Sequence, residues 1–121
     1  MPRAVLDEAR IHPAIRARVA GYHADIVQEV ERAVAAHPVV VVGMGQNPHP
    51  GRARRALDAA GIPHHDLDFG SYLGGWRRRS ALKLWAGWPT LPMVFVRGTL
   101  VGGADDLIKL IASGELKRLL G

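Results

Sequence analysis

The sequence predicts a mixed α/β sandwich, a four-stranded sheet with helices on both faces. Three observations point to it. A strand–helix–strand order between 39 and 69 implies two parallel strands joined by a helical crossover. A tight hairpin over 93–101 adds antiparallel strands. A one-sided helix precedes the first strand, and more helices follow the hairpin. The length fits, since 121 residues is the size of one domain at roughly 150 residues each.

Pro13 to Ala36 reads as one helix. Ile15, Val19, Tyr22, Ile26, Val30 and Val34 recur every three or four residues and form one apolar face. Such a face needs a partner to be stable, so packing on the domain is expected. His37-Pro38 ends the helix, because proline disfavours helical geometry in the residue before it. Residues 3–10 read as a short extra helix. The unbroken run Val39 to Val42 reads as a strand buried on both faces.

A loop of turn formers occupies 43–51. Within it Asn47 is placed to cap a helix that starts with Pro48 and closes at Gly61. His65 to Phe69 reads as the second strand, with Leu67 and Phe69 on one face. Trp76 to Ala86 is a helix with Leu82 and Trp85 on its apolar stripe. The hairpin pairs Met93–Val96 with Thr99–Val101 across Arg97-Gly98. Gly102-Gly103 breaks the chain before a helix over 104–112 and a last helix over 115–120. This reading divides the chain into an N-terminal helical extension, 1–37, and a domain, 38–121.

Composition excludes several chemistries. There is no cysteine, so no disulfide, no thiolate metal site and no thiol nucleophile. The longest apolar run is four residues, far below the roughly 20 of a membrane span. No secretory leader is visible, so a cytoplasmic protein with no membrane partner is expected. The net charge is +5. Residues 1–37 hold five basic and five acidic side chains, so the excess lies in 38–121. It marks either an anionic partner or a solvated basic surface.

From Val39 to the C-terminus the chain resembles the glutaredoxins, and among them the monothiol CGFS type. The residues that carry the resemblance are WPTLP at 88–92, VFVRGTLVGGADDL at 94–107 and SGELKRLL at 113–120. It implies a thioredoxin (glutaredoxin) fold, with Pro92 as the cis-proline that faces the active-site loop. Aligned through ALDAAG at 56–61, the CGFS position falls on Asn47-Pro48-His49-Pro50, so Asn47 stands where the cysteine would be. The lysine the family carries before that loop falls on Met44.

A glutaredoxin needs a thiolate at a helix N-terminus to attack a mixed disulfide. Asparagine caps such a helix but forms no disulfide, so oxidoreductase activity is not expected. The ligand cradle fares better. The resemblance implies glutathione contacts from the backbone of Thr90 and Leu91 beside Pro92, from Arg79, and from the turn Gly103-Ala104-Asp105. Arg79 would pair with a carboxylate. The N–H groups of Ala104 and Asp105 would receive a second one. Asp105 would accept from the γ-glutamyl ammonium, or else it is simply a helix cap.

Two other clusters stand out. Trp76-Arg77-Arg78-Arg79, with Arg52, Arg54 and Arg55, suggests a basic patch. No nucleic-acid motif accompanies it, so nucleic acid is not the expected partner. The six histidines show no metal-ligand spacing, and no metal is expected. The one exception weighed is His49, since two monothiol subunits and two glutathiones of the family can share a 2Fe–2S cluster, which histidine can also ligate.

These readings rank as follows. First comes a redox-inactive glutaredoxin-like protein that binds glutathione or a related anion as a sensor or scaffold. Next is an interaction module with an inert site, its partner a protein. Last is a protein using bound glutathione itself, in transferase-like chemistry or as a cluster carrier.

Overall fold

A computed structural model describes residues 3–45, 47–70 and 76–121. Gln46, inside the loop read over 43–51, lies outside the described residues. After a 3-10 turn at Glu8–Arg10, the elements run α1 (Pro13–Gly21), α2 (Ala24–Ala36), β1 (Val39–Gly43), α3 (Pro48–Ala59), β2 (His65–Asp68) and α4 (Trp76–Ala86). They continue with β3 (Met93–Val96), β4 (Thr99–Gly102), α5 (Ala104–Ser113) and α6 (Glu115–Leu120).

The four strands form one sheet in the order β2-β1-β3-β4. β1 and β2 are parallel, with Val40 opposite His65 and Gly43 opposite Asp68. β3 runs antiparallel to β1, with Val42 opposite Met93, and β4 runs antiparallel to β3. The expected crossover and hairpin are thus both present.

The valine run explains itself in this frame. Val40 and Val42 point into a core shared with α2 and α4, through Ile26, Val30, Ala33, Ala81 and Leu82. Val39 and Val41 point to the opposite core, with Ala53 and Leu57 of α3 and Leu107 of α5. A central strand covered on both faces has no use for a polar residue. Each buried valine or leucine contributes about 1.5–3 kcal/mol relative to exposure.

One element differs from its sequence reading. The helix read over 13–36 is broken at Tyr22-His23. His23 takes a left-handed conformation, with φ 43°. The stripe then divides in its fate. Ile26 and Val30 are fully buried, whereas Ile15, Val19 and Tyr22 are exposed. α1 buries no residue. Periodicity reports an amphipathic face but not where its partner stops, and Gly21, a poor helix former, stands at the joint. Hence α2 is built into the core of the sheet, and α1 lies outside it.

Candidate functional site

The antiparallel register brings the C-terminal end of β1 beside the N-terminal end of β3. The C-terminal end of β4 lies at that same end of the sheet, with Gly102 opposite Val94. The loop into α3, the Leu91–Pro92 peptide and the start of α5 therefore converge. Leu91–Pro92 is cis. Gly43 lets α3 start this close to β1. A Cβ there would lie 2.7 Å from the Pro50 ring, well inside contact distance.

Asn47 is the N-cap of α3, as its sequence position predicts. Its Oδ1 accepts from the His49 N–H at 2.9 Å. Its Nδ2 donates to the Leu91 carbonyl at 3.4 Å. One carboxamide thus joins the helix start to the residue before the cis-proline. The two bonds also fix its orientation, oxygen toward a donor and nitrogen toward an acceptor. Met44 is buried among core side chains.

Asp105 and its neighbour Asp106 have separate roles. Asp106, at the third position of α5, accepts from the Gly103 N–H at 3.0 Å and caps the helix. Gly102, with φ 117°, holds this turn; a Cβ there would sit 2.5 Å from the Asp106 carboxylate. Asp105 is three-quarters exposed and does not cap. Its Oδ1 lies 2.6 Å from Nη2 of Arg52 on α3. The Arg52 hydrogen bond, then its charge, hold the Asp105 carboxyl below the usual carboxylate range. Nη1 of Arg52 lies 3.1 Å from Nδ1 of His49. Arginine only donates, so His49 Nδ1 accepts. His49, Arg52 and Asp105 form a chain from α3 to α5.

Arg79 is 6% exposed, and its Nη1 donates to the Phe69 carbonyl at 3.2 Å, at the end of β2. It is anchored within the fold and not extended over the surface. Thr90 is exposed, and Leu91 and Pro92 are buried.

The basic cluster does not form one patch. Arg78 pairs with Asp25 of α2 at 2.8 Å. Arg77 lies over the Trp76 ring at 5.1 Å. Arg54 pairs with Asp68 at 2.5 Å and Asp66 at 3.5 Å. Among the described residues, no group of three or more histidines, aspartates and glutamates is arranged to hold a metal ion. No helix among them is long and apolar enough to cross a membrane.

His64 belongs to a clamp that the sequence did not announce. Its Nε2 is 2.8 Å from Asp58 and its Nδ1 2.6 Å from Asp66. Burial pulls its pKa down. The hydrogen bonds and charges of the two aspartates outweigh this, and the net shift is upward from 6.5.

The Arg52–Asp105 pair also escaped sequence reading. The i, i+3 spacing of His49 and Arg52 places them on one helix face. Nothing local reveals that this face meets α5, 53 residues on in sequence.

Comparison with known proteins gives the chain's family. A "glutaredoxin-like protein" of Dictyostelium discoideum is 44% identical over 95 residues, covering 78% of this chain and 77% of the relative. That stretch is longer than 38–121, so the similarity reaches back into α2. A monothiol glutaredoxin of Synechocystis sp. is 33% identical over 96 residues, covering 75% of this chain and 87% of the relative. Among solved structures, a buckwheat glutaredoxin–glutathione complex has a TM-score of 0.72 at 24% identity, covering 83% of this chain and 91% of that one. No family model matches the chain. The chain belongs to the glutaredoxin family, as a member without cysteine.

Proposed function

We propose that this protein binds glutathione or a related γ-glutamyl anion without disulfide chemistry of its own, as a sensor or scaffold. The carrying observation is Asn47. It stands at the N-terminus of α3, bonded across to the residue before the cis-proline. The family's thiolate works at this helix position, where the dipole favours negative charge. A carboxamide there keeps the cap and removes the nucleophile.

A bound glutathione would keep its own thiol. The backbone of Thr90 and Leu91 and the N–H groups opening α5 are the groups suited to hold its peptide and a carboxylate. The buckwheat complex supports this only through the shared fold. Arg79, which the family resemblance gives to a ligand carboxylate, is buried with its Nη1 on the Phe69 carbonyl. The cluster-carrier reading draws no support from His49, whose Nδ1 accepts from Arg52. A cytoplasmic setting belongs to the same proposal.

Calorimetric titration with reduced glutathione tests the reading. Saturable binding supports it. No heat at millimolar ligand overturns it and leaves the interaction module. A reductase-coupled disulfide assay should show no turnover above background. Turnover would contradict the claim that the thiol step is lost.

A further inference from the structure

The site's acid carries an internal partner, and that partner bears on which ligand fits. The family resemblance assigns the Asp105 position to the γ-glutamyl ammonium of glutathione. Here Asp105 is held by Arg52 at 2.6 Å. Arg52 is in turn backed by His49 at 3.1 Å. We infer that Arg52 is a specificity-determining residue, competing with an ammonium for Asp105 and favouring a ligand that is neutral or anionic at that end. This inference rests on the ligand-binding reading above and names the class of ligand within it.

The charges nearby point the same way. Lys109 lies close enough to add to the stabilisation of the Asp105 carboxylate. Asp106, the other acid of the turn, is engaged by the Gly103 N–H. The start of α5 adds the positive end of its dipole. An arriving ammonium must therefore share the Asp105 carboxylate with a guanidinium already bonded to its Oδ1 and enter a neighbourhood that is already cationic. A ligand without that amine meets neither cost. The guanidinium has five N–H donors. Those of Arg52 not pointed at Asp105 and His49 have no hydrogen-bond partner among the described residues, so an acceptor can approach without breaking the pair.

The test compares reduced glutathione with N-glutaryl-cysteinyl-glycine, which differs only in lacking the α-amine. Both are titrated calorimetrically into the wild type, Arg52→Ala and Arg52→Ala/Asp105→Asn. The wild type should bind the des-amino ligand at least as tightly. Arg52→Ala should reverse this, favouring glutathione by roughly tenfold, the scale of one charge-assisted hydrogen bond. Adding Asp105→Asn should erase the reversal. Arg52 is partly exposed, so these variants leave the core intact.

A wild type that already prefers glutathione tenfold overturns the inference alone. No binding of either ligand by any variant overturns the ligand reading, and the inference with it. As a readout independent of ligand, the Asp105 carboxyl followed by NMR should titrate higher in Arg52→Ala. An unchanged titration overturns the pairing.

Discussion

At residue 47 one side chain both caps a helix and ties it to the neighbouring loop. The Asn47 carboxamide accepts from the His49 N–H and donates to the Leu91 carbonyl. Removing it with Asn47→Ala should cost about 1 kcal/mol, the usual loss for a helix cap. Urea denaturation would show this as a lower midpoint with an unchanged slope. Asn47→Cys should place a thiolate at the helix start, with its pKa lowered by the dipole. Incubated with oxidised glutathione, that variant should gain the mass of one glutathionyl group. A thiol that stays unmodified would mean this position is not the family's active-site position. The cap was legible in the sequence because it is local: Asn47, Pro48 and Gly61 bracket a helix within fifteen residues. The Arg52–Asp105 pair was not, because it depends on how α3 packs on α5.

The elements show the same contrast between local and distant causes. The limits of β1 were readable because its valine run is bounded by Pro38 and Gly43. The break between α1 and α2 was not, since the apolar spacing continues through it. Truncation separates the two halves. Ile26→Ala, in the core, should cost about 2–5 kcal/mol. Ile15→Ala, on exposed α1, should change stability by less than about 0.5 kcal/mol. Equal losses in denaturation would mean that α1 is packed as firmly as α2.

The His64 clamp ties the end of α3 to β2 through Asp58 and Asp66. Its pKa is raised above 6.5 in the folded state. The folded state therefore binds the proton more tightly than the unfolded chain. The clamp's contribution is complete below pH 6.5 and is lost as pH rises through the folded-state value. Unfolding free energy should carry that downward slope in the wild type, and His64→Gln should flatten it. Identical pH profiles for the two would remove the clamp from the account.

Over the whole molecule, two cores flank one sheet, and both meet the strand β1. That arrangement sets the ends of β1, β3 and β4 together and so builds the site from residues far apart in sequence. The zero cysteine count settles what this site does not supply. Under the proposed function, the loop, cap and turn at this end of the sheet still bind a ligand. Titration of the unmodified chain with reduced glutathione tests this most directly. The account predicts saturable binding with no turnover in the coupled disulfide assay. An absence of heat at millimolar glutathione would contradict it.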